Sequence, residues 1–119
     1  MKIMTIMGTR PEIIRLADII KLLDKNVNHI LVHTGQNYDK NLNDVFFEDL
    51  DLRLPDYQLQ CKANSIQEQI GKILSTTGLI MDKEKPDAIL ILGDTNSGLS
   101  SIIAKRKKII IYHLEAGDR

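Results

Sequence analysis

The sequence predicts an α/β fold: a Rossmann-like parallel sheet with helices on both faces. Two observations predict it. Short runs rich in isoleucine, leucine and valine alternate along the chain with longer stretches of helical periodicity. The runs Lys2–Met7 and Ala88–Leu92 are almost continuously apolar, as expected when both sides of a strand are covered. For the strands present we predict the order 3-2-1-4-5.

The first strand, Lys2–Met7, leads directly into a helix. Pro11 suits the first turn because the N–H that proline lacks would have no partner there, which makes Thr9 or Arg10 the cap. A turn at residues 25–28 then precedes the second strand, His29–His33. The helix carries a wide apolar face that is predicted to be well buried: Ile13, Ile14, Leu16, Ala17, Ile19, Ile20, Leu22 and Leu23.

The middle of the chain is its least regular part. A loop at Thr34–Asn37 precedes a short helix around Leu42–Asp49. Within the mixed stretch Leu50–Ala63, Tyr57–Gln60 is predicted to form a short edge strand. Cys61 is the only cysteine, which excludes a disulfide framework and fits an inert residue in a reducing compartment.

The second half repeats the alternation of helix and strand. Ser65 and Glu68 match a capping box and begin a long helix that Pro86 ends. The stripe of this helix has the spacing of a core face: Ile66, Ile70, Ile73, Leu74, Thr77, Ile80 and Met81. Four segments follow in order: the interior strand Ala88–Leu92, a helix from about Ser97 to Arg106, a solvated turn at Lys105–Lys108 and the strand Ile109–Leu114.

Composition excludes several classes of function. The hydrophobic content of 43% and the charged content of 27% are those of a soluble globular domain. The 16 basic and 16 acidic residues cancel, and the few aromatic residues are scattered, which argues against nucleic-acid binding. The start of the chain does not resemble a signal peptide and no apolar run is long enough to span a membrane, so we expect a cytoplasmic protein.

Three charged residues follow predicted strands. Arg10 comes after the first strand, Asp94 after the interior strand and Glu115 after the last one. The carboxyl ends of parallel strands share one edge, and open α/β sheets bind their ligands there. A cation and two carboxylates at that edge suggest a site that holds an anion and moves protons.

Simpler interpretations of these residues stay open. The stretch Gly8–Glu12 fits an anion-binding turn at a helix start, and equally a well-formed helix start alone. Asp94 could cap the helix that follows it, and Glu115 could pair with a nearby arginine. His33 and His113 end strands at the same edge, but no ligand spacing supports a metal site. Neither G-x-G-x-x-G nor a Walker loop is present.

Four motifs occur in the order and spacing of one family: Gly8-Thr9-Arg10-Pro11-Glu12, His33-Thr34-Gly35-Gln36, Gly93-Asp94-Thr95 and Glu115-Ala116-Gly117. In these motifs the chain resembles the non-hydrolysing UDP-N-acetylglucosamine 2-epimerases, over essentially its whole length. The stretches Ile13–Leu16 and Asn37–Phe47 look closest to one branch of that family. That branch inverts C2 of UDP-2-acetamido-2,6-dideoxy-L-talose to make UDP-N-acetyl-L-fucosamine.

The resemblance implies a two-domain fold of which residues 1–119 would be an incomplete N-terminal Rossmann-like domain, without the UDP-binding second domain. It implies elimination and re-addition of UDP, with Asp94 and Glu115 as the catalytic carboxylates. It implies no cofactor and no metal, a homodimer for the full-length family, and a role in capsule or lipopolysaccharide O-antigen biosynthesis. The substrate contacts would be Arg10, Arg15, Gln36, His33 and Thr95, although Gln36 fits a polar turn residue equally well.

One substitution and the length of the chain depart from the family pattern. Arg15 stands where many members have lysine, and arginine keeps the charge but not the geometry. The family's further carboxylate, its cleft histidine and its uridine-binding domain would lie beyond Arg119, so little or no epimerase activity is expected of this chain alone. Two rivals stay open: a hydrolysing 2-epimerase that releases free N-acetylmannosamine, and a non-catalytic remnant that serves as a binding or partner module.

Overall fold

The computed structural model describes residues 1–8, 10–34, 45, 47–59, 64–92 and 100–114, with the backbone alone at Arg10. The strands in these ranges are β1 (Lys2–Met7), β2 (Asn28–His33), β3 (Tyr57–Gln58), β4 (Ala88–Leu92) and β5 (Ile110–Leu114). The helices are α1 (Arg10–Asn26), α2 (Ile66–Glu84) and α3 (Ser100–Arg106). Val45 and residues 47–49 are also helical, which agrees with the short helix predicted around Leu42–Asp49. None of the helices in the described ranges is long and apolar enough to cross a bilayer.

All of these strands pair in parallel, in one sheet with the order β3-β2-β1-β4-β5. The predicted fold class and strand order are therefore confirmed. From β1 the chain builds β2 and β3 on one side, then returns to add β4 and β5 on the other. The neighbours β1 and β4 thus flank the point where the winding direction reverses, which is where doubly wound folds form their ligand crevice.

The two sides of the sheet carry separate cores because successive strand side chains point to opposite faces. On the first, which we call the α1 face, Ile3, Met7 and Leu31 pack against α1 and Phe47. On the opposite face, Met4, Ile6 and Val32 of the sheet pack with residues of α2 and α3. All five residues of β4 are buried, as predicted for an interior strand.

Some residues of the predicted helix stripes face solvent. Ile14 of α1 is 55% exposed and Leu22 is 61% exposed, so the apolar face of this helix is narrower than predicted. The cause is the helical period: when Ile13, Leu16 and Ile20 face the sheet, Ile14 and Leu22 point away from it. Ile66, the first residue of α2, is 67% exposed.

Helix α2 begins and ends where the sequence predicted. The Ser65 hydroxyl accepts a hydrogen bond from the amide of Glu68 at 3.2 Å, the serine half of the predicted capping box. At the other end Lys85 adopts a left-handed conformation with φ 48°, and its amide donates to the Met81 carbonyl at 2.8 Å. Pro86 follows at once and cannot extend the helix.

Boundaries differ slightly from those predicted. The first helix reaches Asn26, so Val27 alone separates α1 from β2. The edge strand covers Tyr57–Gln58, with Gln60 outside the described residues. At the opposite edge β5 begins at Ile110, one residue later than predicted, and is only partly covered.

Candidate active site

The carboxyl ends of the described strands form one edge of the sheet, here called the carboxyl edge. Met7 pairs with His33, and Leu92 pairs with Leu114. Because Thr5 pairs with Leu90, the carboxyl ends of β1 and β4 lie at the same level of the sheet. At Gly8 the chain therefore leaves the sheet beside the point where the winding direction reverses, which is the expected place for a ligand.

A buried carboxylate lies next to Gly8. The amide of Gly8 donates a hydrogen bond to Oε2 of Glu12 at 2.5 Å, and Glu12 is only 3% exposed. Glu12 is the third residue of α1, the position from which a capping-box glutamate reaches back to the start of its own helix. Sequence reasoning included Glu12 in a motif without assigning it a role, although its place in the first helical turn was a usable signal.

His33, a predicted substrate contact, ends β2 on the α1 face. Its ring meets the edge of Phe47 with centroids 6.0 Å apart, and the residue is 3% exposed. Burial lowers the pKa of His33, and the negative charge of Glu12 acts in the opposite direction. The neutral imidazole is therefore favoured at neutral pH, which leaves this ring able to donate one hydrogen bond and accept another.

Thr34 continues the carboxyl edge just beyond β2. Its amide donates to the Met7 carbonyl at 2.8 Å, which ties the start of the following segment to β1. Its hydroxyl is buried and has no hydrogen-bond partner among the residues that the structure describes. An unsatisfied buried hydroxyl is uncommon and marks a polar point at this edge that a ligand or water could occupy.

Most of the other predicted site residues lie outside the described part of the chain. These are Asp94, Glu115, Gln36 and Thr95, together with the side chain of Arg10. Their convergence at the carboxyl edge stays a prediction. The backbone at Arg10 begins α1, and Arg15 lies about 7.5 Å further along the helix axis on an exposed surface.

His33 and His113 share an edge of the sheet but not a face. His113 has the same alternation as Ile111, which packs with the α2 and α3 core, whereas His33 lies on the α1 face. Two strands separate β2 from β5, which places the two rings about 14 Å apart along the sheet. Within the described ranges no group of histidine, cysteine or carboxylate side chains could hold a metal ion.

Comparison with known proteins identifies the fold and its relatives. A family model described as UDP-N-acetylglucosamine 2-epimerase matches residues 21–119. The chain is 43% identical over 121 residues to the UDP-N-acetylglucosamine 2-epimerase of Methanocaldococcus jannaschii, covering 100% of this chain and 33% of that protein. It is 39% identical to the UDP-2,3-diacetamido-2,3-dideoxy-D-glucuronate 2-epimerase of Pseudomonas aeruginosa, covering 100% and 34% respectively.

Solved structures give the same result. The UDP-N-acetylglucosamine 2-epimerase from Rickettsia bellii matches with a TM-score of 0.91 and 54% identity, covering 100% of this chain and 32% of that one. The M. jannaschii enzyme in complex with UDP-GlcNAc and UDP matches with a TM-score of 0.92 and 42% identity, covering 100% and 33%. The chain spans about a third of the length of the curated relatives it matches.

Proposed function

Because this chain belongs to the UDP-N-acetylglucosamine 2-epimerase family, we propose that it supplies the N-terminal part of an enzyme that inverts C2 of a UDP-sugar. The relatives named above are 2-epimerases, which are isomerases. One observation carries the proposal: the whole chain shares its fold with an enzyme whose structure holds UDP-GlcNAc and UDP. The position of the Gly8 turn beside the winding reversal of the sheet supports it further.

The substrate we propose is a UDP-2-acetamido sugar. The names of the relatives share this chemistry, since N-acetylglucosamine and the 2,3-diacetamido sugar both carry an acetamido group at C2. The L-talose branch expected from Ile13–Leu16 and Asn37–Phe47 belongs to the same class of substrate. Which sugar the enzyme takes remains part of the proposal.

The proposed reaction breaks and remakes two bonds. A carboxylate removes the proton from C2 while the bond from C1 to the UDP oxygen breaks, and UDP leaves with that electron pair. A C1=C2 double bond remains in the sugar. UDP then attacks C1 again and a proton returns to C2 from the opposite face, so that no redox change occurs. The weakly acidic C2 proton requires stabilisation of the leaving diphosphate as its charge develops.

The proposed roles follow the four motifs. Asp94 and Glu115 are the candidate acid–base carboxylates, and the Arg10 guanidinium is suited to the diphosphate because of its planar fork. Arg15 has an exposed side chain on α1 and is a proposed substrate contact. Gln36 and Thr95 are further proposed contacts. His33 is the most buried of the described candidate contacts, so a ligand would reach its ring inside the carboxyl edge and not on the protein surface.

The proposal also covers the biosynthetic role, the cellular location and the oligomeric state of the enzyme. An epimerised UDP-2-acetamido sugar is a precursor for surface glycans such as capsule or lipopolysaccharide, made in the cytoplasm by an enzyme that is homodimeric at full length. A domain of the relatives' remaining length would enclose the nucleotide and exclude water. We therefore propose that this chain alone binds UDP-GlcNAc weakly and does not turn it over.

The test is a titration of the 119-residue chain with UDP-GlcNAc, followed by amide NMR, with turnover assayed in parallel. We expect shifts at the carboxyl edge, for example at Gly8 and Thr34, and none around His29 at the opposite end of β2. Absence of any shift at millimolar UDP-GlcNAc would contradict the binding proposal. Turnover above background that disappears in Asp94→Asn would contradict the proposed inactivity.

The same assay separates the rival functions. Release of free N-acetylmannosamine in the presence of the complementary C-terminal polypeptide would favour a hydrolysing 2-epimerase. Binding without turnover, even with that polypeptide present, would favour a non-catalytic module, an option that the short span of this chain relative to its relatives keeps open.

A further inference from the structure

Two glutamates occupy the same position in two helices but have different environments. Glu12 is the third residue of α1 and Glu68 is the third residue of α2. Glu68 is exposed, as expected of a carboxylate that favours a helix N-terminus through its charge. Glu12 is 3% exposed and accepts the Gly8 amide at 2.5 Å. Stabilising the start of a helix does not require burial, so the burial of Glu12 needs another explanation.

The partner of Glu12 supplies that explanation. Gly8 is itself buried and directly follows Met7, the last residue of β1. A buried amide without an acceptor is costly, so the Gly8 amide and the Glu12 carboxylate hold each other in place. Between these two residues the chain passes from the sheet into α1, which begins at Arg10. Glu12 therefore fixes the start of α1 relative to Gly8, at the end of β1.

We propose that Glu12 is a positioning residue for the substrate: by holding the Gly8 amide it sets where α1 begins, and Arg10, the proposed diphosphate contact, is the first residue of that helix. This inference rests on the proposed function. Glu12 does not act by charge, because a carboxylate near the diphosphate repels it. It acts through the geometry of its buried hydrogen bond to the Gly8 amide, and that distinction makes the role testable.

Two substitutions separate the bond from the charge. Glu12→Gln keeps an oxygen that can accept from the Gly8 amide and removes the charge. Glu12→Asp keeps the charge but is one methylene shorter, so its carboxylate withdraws from the Gly8 amide. The matched controls are Glu68→Gln and Glu68→Asp, at the same position of α2 in an exposed setting.

The measurements are made on the 119-residue chain by NMR: exchange of the Gly8 amide, titration of the His33 ring and the dissociation constant for UDP-GlcNAc. We expect Glu12→Asp to lose about 10-fold or more in both Gly8 protection and affinity. We expect Glu12→Gln to keep Gly8 protection and to bind within about threefold of the original chain. The Glu68 variants should leave all three quantities unchanged.

His33 reports on the charge independently of binding. Since the Glu12 charge raises the pKa of His33 against the effect of burial, the pKa should fall further in Glu12→Gln and be retained in Glu12→Asp. If Glu12 only stabilised the fold, both variants would unfold at a lower temperature. Their UDP-GlcNAc affinity would then not correlate with the exchange protection of the Gly8 amide. The proposal is overturned if Glu12→Gln loses affinity while Glu12→Asp keeps it, or if the two variants bind equally well.

Failure of the proposed function gives a different result. If the original chain binds no UDP-GlcNAc, the proposed function fails and the positioning role falls with it. If the original chain binds and both Glu12 variants bind equally well, the proposed function stands and the role of Glu12 alone is overturned.

Discussion

Two buried histidines at opposite ends of β2 differ in how the structure holds them. His29 lies near the amino end and His33 at the carboxyl edge, both on the α1 face. Burial lowers the pKa of each ring. The ring of His29 is bonded at both nitrogens, to Thr5 Oγ1 and to Asp24 Oδ1, each at 2.7 Å. His33 makes a T-shaped ring contact with Phe47, near the Glu12 charge.

The network around His29 fastens a loop to the sheet. Arg53 donates to Asp24 at 3.1 Å and to the His29 carbonyl at 3.1 Å, and pairs with Asp56 at 3.0 Å. Asp56 in turn accepts the Leu31 amide at 2.8 Å, directly beside the edge strand β3. This comparison of the two histidines shows that the amino end of the sheet carries a hydrogen-bond network with a structural role. The carboxyl edge carries the buried Thr34 hydroxyl, which has no hydrogen-bond partner within the described ranges, and the buried Glu12 carboxylate.

The largest expected effect comes from removing the cover of His33. Phe47→Ala should lower the free energy of unfolding by about 3–5 kcal/mol, because Phe47 is fully buried in the α1-face core. The His33 ring should become hydrated and its pKa should rise towards the ordinary value, whereas that of His29 should not move. Urea denaturation and histidine NMR measure the two effects. Val45→Ala, in the same helical segment but 54% exposed, is the control and should change stability by less than about 0.5 kcal/mol.

The next effect tests whether the His29 network is closed. Thr5→Val keeps the shape of a fully buried residue but removes the hydroxyl bonded to His29 Nε2. Leaving that nitrogen unsatisfied should cost about 1–3 kcal/mol in urea denaturation. Thr76→Val is the control, because the Thr76 hydroxyl donates back along its own helix, at 2.5 Å to the Lys72 carbonyl. Equal losses in the two variants would show that the His29 bond has no special role.

The pH dependence of stability tests both histidines together. Since each folded-state pKa lies below the unfolded value of 6.5, the unfolded chain binds protons more readily, and stability must fall as the pH drops below about 6.5. The slope should reach at most about 1.4 kcal/mol per pH unit for each histidine. Urea denaturation between pH 7.5 and 5.5 measures it, and His29→Gln or His33→Gln should each remove part of the slope. A flat profile in this window would contradict the lowered values.

The sequence allowed the fold to be predicted because each element had its own local signal. The continuous apolar runs predicted the interior strands, and Pro11, Ser65 and Pro86 predicted where helices begin and end. The His29 network was not predicted, because Asp24 and Arg53 are 29 residues apart and only the folded loop brings them together. For the candidate site, the motifs predicted the edge, but neither the burial of Glu12 nor its bond to Gly8 follows from spacing alone.

The smallest expected effect separates geometry from charge at the amino end. Arg53→Lys keeps the positive charge between Asp24 and Asp56 but loses the planar fork that also reaches the His29 carbonyl. Because the Arg53 side chain is 34% exposed, water screens these pairs, and we expect a loss of only about 0.5–1 kcal/mol in urea denaturation. Added salt should change the lysine variant more than the original chain, since the lysine would be held to Asp24 and Asp56 by charge without the fork of hydrogen bonds. UDP-GlcNAc affinity should stay within about twofold. A tenfold loss of affinity would mean that the two ends of β2 are coupled, and the division between a structural amino end and the proposed binding site at the carboxyl edge would be wrong.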